Sequence, residues 1–300
     1  MKHILSASQF NAKELSQLFQ KADKFRAMKN LPDHRGKVVA TIFYEPSTRT
    51  RLSFESAAVR LGAGIISTEN AAEFSSAIKG ETIEDSTRVL ACYADIIVMR
   101  HPETGAAARA AAVSKVPIIN AGDGKGEHPT QALLDTYTIQ REKGRLNNLR
   151  VVIGGDLAHG RTARSLAQML SLYKGNHITF VSTAELQIGR DIKEQLRKKS
   201  VGFEETNDMI AALSQADVVY WTRLQKERLA GKKLASNFVI NNLALKVMPR
   251  DAIIMHPLPR VDEIDKAVDS DPRTAYFRQA ENGLYIRMAI LDGLLNDGLA

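Results

Sequence analysis

Short apolar runs recur along this chain of 300 residues, with helical patterns set between them. The runs cover residues 38–43, 64–68, 96–99, 117–120, 150–153, 177–181, 218–220 and 253–255. Helical patterns occupy residues 12–28, 50–61, 83–93, 129–143, 162–173, 190–199 and 208–213. Successive parallel strands need a long crossover, usually a helix, so this alternation reads as an α/β fold with parallel sheets. Eight such strands can close into one barrel or divide into two doubly wound sheets. The length suits two domains rather than one ordinary core. The loop-like stretch Gly122-Asp123-Gly124-Lys125-Gly126-Glu127-His128-Pro129 precedes a long helix and marks the junction between them. A last amphipathic helix at residues 283–295 could fold back onto the first domain.

The net charge of +7 suits anionic partners in general. No long block of like charge occurs, the densest run being Arg197-Lys198-Lys199. Aromatic residues are not interleaved with basic ones as on a base-stacking platform, so nucleic acid is not expected. No stretch approaches the ~18 apolar residues of a membrane span. The N-terminal residues lack the apolar core of a signal peptide, which leads to a cytoplasmic expectation. Cys92 is the single cysteine, so no disulfide forms within the chain. Its apolar neighbours predict a small buried hydrophobe.

Candidate binding residues gather at strand ends, where open α/β sheets take ligands. The first group, Glu45-Pro46-Ser47-Thr48-Arg49-Thr50-Arg51, follows the strand at 38–43. Pro46 and Ser47 suit a helix start, with a hydroxyl able to cap. Free first-turn N–H groups, hydroxyls and two guanidiniums then fit a compact anion such as phosphate. Arg100 ends the strand that precedes it. His128-Pro129-Thr130-Gln131 opens a helix, where His128 can donate to a carbonyl oxygen that gains negative charge. Gly155 to Thr162 nearly matches a nucleotide phosphate loop, but Arg161 stands where that loop needs a lysine point charge. Arg161 and Arg223 could instead clamp a dicarboxylate by bidentate pairing. No nucleophile triad and no spaced metal-ligand set stands out. Phosphate in the first half, carboxylate in the second and a polarising histidine at the junction describe a particular chemistry. A phosphate-activated acyl group is passed to a carboxylate-bearing nucleophile.

These motifs resemble the carbamoyltransferases. Ser47-Thr48-Arg49-Thr50-Arg51 and His128-Pro129-Thr130-Gln131 carry the general likeness. Thr222-Arg223-Leu224-Gln225 and His256-Pro257-Leu258-Pro259-Arg260 resemble the aspartate branch of that family. The resemblance implies two doubly wound α/β domains, each with a mainly parallel sheet flanked by helices. Residues 1–129, with a returning helix at about 285–300, would bind carbamoyl phosphate, and residues 130–284 would bind L-aspartate.

By the same resemblance, Ser47, Thr48, Arg49 and Thr50 hold the phosphate. Arg100, His128 and Gln131 bind the carbamoyl end, and His128, Thr50 and Arg100 stabilise the oxyanion. Pro257 and Leu258 offer backbone carbonyls to the carbamoyl NH2 and the attacking amine. Arg161, Arg223 and Gln225 bind aspartate. Lys79 reaches a neighbouring subunit's site, with Ser75 (Ser76 stands beside it) as its serine partner. Glu45 would meet Arg161 and Arg228 on domain closure.

The implied reaction yields N-carbamoyl-L-aspartate and phosphate, an early step of de novo pyrimidine biosynthesis. It implies a homotrimer with shared active sites and no cofactor or metal, with regulatory chains or another pathway enzyme left open. An ornithine-specific relative would carry Ser-Met-Gly and a His-Cys-Leu-Pro motif, whereas this chain reads His256-Pro257-Leu258-Pro259. A non-catalytic anion sensor on the same fold would be expected to have lost a catalytic position, yet Arg49, Thr50, Arg100 and His128 are all present.

Overall fold

The computed structural model describes residues 3–74, 79–124, 126–223 and 238–296. The chain divides into two compact units, Met1–Leu134 with Glu281–Ala300, and Asp135–Ala280. The barrel alternative is set aside by two separate sheets, one in each unit.

In the first unit, strands β1 (Val38–Phe43), β2 (Gly64–Glu69), β3 (Ile96–His101) and β4 (Ile118–Asp123) form an all-parallel sheet in the order β2-β1-β3-β4. Helices α1 (Ala12–Ala27), α2 (Thr48–Arg60), α3 (Ala71–Phe74), α4 (Ile83–Leu90) and α5 (Ala106–Val113) accompany these strands. α1 starts at a capping box in which Asn11 and Glu14 satisfy each other's backbone N–H groups. It buries Leu15, Leu18, Phe19, Ala22 and Phe25, a stripe at helical spacing. The chain returns at its C-terminal end, where Asp292 accepts from His34 at 2.7 Å and pairs with Lys21 at 2.5 Å.

In the second unit, β5 (Arg150–Gly154), β6 (His177–Val181), β7 (Gly202–Thr206), β8 (Val218–Trp221) and β9 (Ile253–Met255) run parallel in the order β7-β6-β5-β8-β9. Its helices are α7 (Arg161–Leu170), α8 (Arg190–Lys198), α9 (Met209–Leu213) and α10 (Asn242–Val247). The unit boundaries fall inside α6 (Pro129–Lys143) and α11 (Tyr276–Leu295). Val152, Val219, Trp221 and Ile254 of the sheet pack with Leu213, Phe238, Ala244 and Tyr276 in one buried cluster.

Each sheet has a topological switch point. The chain leaves β1 to one side for β2 and then crosses to β3 on the other. It leaves β5 for β6 and later crosses to β8. In such sheets a crevice opens beyond the C-terminal strand ends at the switch.

Several elements differ from expectation. β7 reads Gly-Phe-Glu-Glu-Thr and lacks an apolar run because it is an exposed edge strand. α5 is alanine-rich and carries little apolar contrast between its faces. α10, too, lies outside the expected helices. α11 begins at Tyr276 and runs through Gly283, which looked like a start. A Cβ on Gly283 would stand 3.1 Å from Leu134, so this glycine permits close helix packing.

Cys92 corrects the buried expectation, because it is exposed. α4 ends at Leu90, and Cys92 lies in the following turn beside Tyr93, which is 64% exposed. At 100° per residue it would fall about 180° around the helix from buried Ile83.

Candidate active site

Register places the first group of predicted residues together. β1 and β3 pair so that Phe43 stands opposite Arg100, and the Tyr44 N–H reaches the Arg100 carbonyl at 2.9 Å. Ser47 is the N-cap of α2, but its side chain makes no capping hydrogen bond. Its hydroxyl instead accepts from Arg100 Nη1 at 3.2 Å. The expected role of that hydroxyl is therefore changed: it ties the helix mouth to β3, and leaves the first-turn N–H groups uncapped by it.

Arg100 is mostly buried, and its Nε reaches Glu45 at 3.3 Å. Burial depresses its pKa from the guanidinium's usual value, and Glu45 opposes that shift. Arg49 is exposed as a whole side chain, yet its guanidinium is also pushed down, first by desolvation and then by Arg100. An anion bound at this mouth would relieve the repulsion that Arg100 exerts on the Arg49 charge. Arg51, the second guanidinium expected there, is occupied: it bonds Glu69 at 2.9 Å, Ser67 at 3.2 Å and Glu55 at 3.4 Å. Thr50 is buried at this helix mouth and Thr48 is exposed.

His128 and Gln131 sit at the start of α6, and both are buried. The loop before them is pinned by Asp123, whose carboxylate accepts from the Gly105 and Glu127 N–H groups at 2.9 Å each. Glu127 in turn accepts from Ser6 Oγ and the Ala7 N–H at 2.6 Å. Gly124 has φ +49°, and a Cβ there would stand 2.5 Å from the Pro102 carbonyl. Close passage of the loops after β3 and β4 thus fixes where α6 begins.

The second switch point gathers the second group. The loop after β5 passes against the end of β8: Thr222 N–H and Oγ1 both bond the Gly154 carbonyl, at 2.8 and 3.0 Å. A Cβ on Gly155, at φ +109°, would stand 2.2 Å from the Thr222 carbonyl. Only glycine allows this approach, and it draws the segment carrying Arg161 to that carrying Arg223. Arg161 opens α7, Arg223 follows β8, and both are half-buried. Asp156 is fully buried and holds the turn by accepting from the His159 N–H and ring, at 3.0 Å each.

Pro257 and Leu258 follow β9 and are half-buried. Leu258 is left-handed at φ +52°, and its N–H reaches His256 Nδ1 at 2.8 Å. Arg260 pairs with Asp269 and lies over the Tyr276 ring, a structural role. Lys79 is exposed. Ser75, Ser76, Gln225 and Arg228 lie outside the described residues. Asp156, Glu69 and Glu263 support the site but escaped sequence reasoning; the one local signal was an acid three residues before His159.

Both halves of the chain match family models. Residues 2–141 match the carbamoyl-phosphate-binding domain of aspartate/ornithine carbamoyltransferases, and residues 147–294 match their aspartate/ornithine-binding domain. The chain belongs to the aspartate/ornithine carbamoyltransferase family. A chloroplastic aspartate carbamoyltransferase of Pisum sativum is 53% identical over 97% of this chain and 78% of its own length. The catalytic subunit of M. jannaschii aspartate transcarbamoylase is 44% identical, with a TM-score of 0.92 over 99% of each chain. The Trypanosoma cruzi aspartate transcarbamoylase, in complex with N-(phosphonacetyl)-L-aspartic acid, is 39% identical with a TM-score of 0.90. It is matched over 97% of this chain and 94% of its own. The expected family, doubly wound fold and carbamoyl transfer to aspartate are borne out.

The cytoplasmic expectation is corrected. The relatives from Pisum sativum, Oryza sativa and Arabidopsis thaliana, 50–53% identical, are chloroplastic enzymes. A folded carbamoyltransferase looks the same on either side of an organelle membrane, because its address is carried by segments outside the folded domains.

Proposed function

We propose that the two switch-point crevices are the two substrate sites of an aspartate carbamoyltransferase. The first unit binds carbamoyl phosphate through Ser47, Thr48, Arg49 and Thr50 at the mouth of α2. Arg100, His128 and Thr50 polarise its carbonyl, and Gln131 contacts the carbamoyl end. The second unit binds L-aspartate through Arg161, Arg223 and Gln225, and the Pro257 and Leu258 carbonyls accept from the amine. Transfer follows from alignment of amine and carbonyl, which converts a bimolecular step into one within the complex. Oxyanion donors stabilise the tetrahedral intermediate, and Arg49 stabilises the departing phosphate, which takes up the amine proton. The product is N-carbamoyl-L-aspartate, which places the reaction early in pyrimidine biosynthesis.

The working unit of this reading is a homotrimer, in which Lys79 and Ser75 complete a neighbour's site. The M. jannaschii relative's description as a catalytic subunit supports an assembly that can take further chains.

One observation carries the proposal: Ser47–Thr50 and Arg100 in the first unit, and Arg161 and Arg223 in the second, stand at or just after the strand ends flanking the switch, β1/β3 and β5/β8. The test is product formation from carbamoyl phosphate with aspartate, ornithine or no acceptor. Turnover with aspartate alone is expected. Turnover with ornithine, or none with either, would overturn the reading.

A further inference from the structure

A buried hydrogen-bonded chain runs behind the loop that follows β9. Tyr220, paired with Thr162 beside Arg161, donates to Asp135 Oδ2 at 2.8 Å. Gln279 Nε2 donates to Asp135 Oδ1 at 2.6 Å, and Gln279 Oε1 accepts from the His256 N–H at 2.9 Å. His256 Nε2 lies 2.8 Å from Glu263 Oε1. Glu263 Oε2 accepts from the Val261 and Asp262 N–H groups at 3.2 Å each. Tyr220, Asp135, Gln279, His256 and Glu263 are all buried.

The chain fixes a tautomer. A backbone N–H can only donate, so His256 Nδ1 must accept from Leu258 and carry no proton. Nε2 therefore holds the proton and donates it to Glu263, an acceptor when ionised. Burial alone would push the Glu263 carboxyl up, but the His256 and backbone hydrogen bonds outweigh it and hold it below its usual value. Leu258 needs such support, because a left-handed leucine is disfavoured by its Cβ.

We propose that His256 and Glu263 are positioning residues that hold the left-handed Leu258 backbone, and with it the carbonyls that meet the attacking amine. The proposal rests on reading Pro257 and Leu258 as amine acceptors. Neither imidazole nor carboxylate need touch substrate. Glu263 sets the ring's tautomer, the ring sets the Leu258 amide, and that amide sets the two carbonyls.

The test compares His256→Asn with His256→Leu in the full chain. Asparagine keeps an oxygen two residues before the Leu258 N–H, the arrangement of an Asx turn, and leucine does not. Succinate, which has two carboxylates and no amine, probes the arginine clamp alone. In His256→Leu, kcat/KM for aspartate is expected to fall tenfold or more, with succinate inhibition unchanged within twofold. His256→Asn should keep most of kcat/KM while melting at a lower temperature, since Glu263 loses its donor. Equal losses for aspartate and succinate in His256→Leu, or an Asn variant as poor as Leu, would overturn the positioning role. Should His256→Leu fail to fold, the Asn variant decides alone, its retained or lost kcat/KM giving the answer. Ring ¹⁵N shifts give a readout independent of turnover: a protonated Nδ1 at His256 in the wild type would overturn the proposal. Absence of wild-type turnover would instead remove the amine-acceptor reading and leave the tautomer measurement standing.

Discussion

Desolvation and the nearby Arg100 both disfavour the Arg49 charge at the helix mouth, which is the electrostatic argument for an anion there. Arg49→Ala removes a charge-assisted contact worth roughly 1.5–3 kcal/mol. Activity at subsaturating carbamoyl phosphate is expected to fall about ten- to a hundredfold, with an unchanged melting temperature because the side chain is exposed. Normal turnover in this variant would count against the phosphate assignment. His128 is buried at the start of α6 and assigned to the carbonyl oxygen. His128→Ala should lower kcat by ~10²-fold or more, the usual effect of losing one oxyanion donor. If carbamoyl phosphate affinity falls and kcat does not, His128 is a ground-state binder instead.

At the scale of elements, two loops meet because a glycine lets them. The 2.2 Å from a Cβ on Gly155 to the Thr222 carbonyl, at φ +109°, leaves no room for a methyl group. Gly155→Ala is expected to cost roughly 1–3 kcal/mol in strain, read as a lower urea midpoint. KM for aspartate should rise far more than Kd for carbamoyl phosphate, since only the second switch point is displaced. Equal effects on both substrates would show that the loops do not act separately. The turn after β9 gives a pH signature. The Glu263 carboxyl is held below the usual value of 4.5, so its stabilisation is present above about that pH. It is lost as pH falls through the depressed folded value. Urea titrations of wild type and Glu263→Gln should therefore differ at neutral pH and converge in acid. A gap that widens in acid would reverse the sign and remove the ionised carboxylate from the account.

For the whole molecule, the unit of function is larger than one chain if Lys79 serves a neighbour. Lys79 is exposed, as a residue reaching into another subunit must be before assembly. In the proposed homotrimer, Arg49→Ala and Lys79→Ala assemblies should each be nearly inactive. Mixed, dissociated and reassembled, they should regain part of the wild-type activity, because some sites then carry both native groups. Verified hybrids with no recovery would place Lys79 in its own chain's site or outside any site.

Periodicity and turn chemistry settled most of the strands and singled out the candidate binding residues. The apolar runs at β1, β3, β5 and β8 were legible because central parallel strands are buried on both faces. The Ser47–Thr50 run, His128 and the two arginines were legible because anion recognition needs those groups next to helix starts and strand ends. The edge strand β7 and the alanine-rich α5 were not, since exposure and uniform composition erase the periodic signal. Nor was the burial of Glu263, Asp135 or Gln279, residue types that sequence alone places in water. Only tertiary structure showed Arg51 occupied by Glu69, Ser47 tied to Arg100, and Gly283 needed for helix packing. Sequence carries the local conformational preferences and the chemistry of each group. Which groups meet depends on strand order and close packing between segments far apart in the chain, and no local pattern records them.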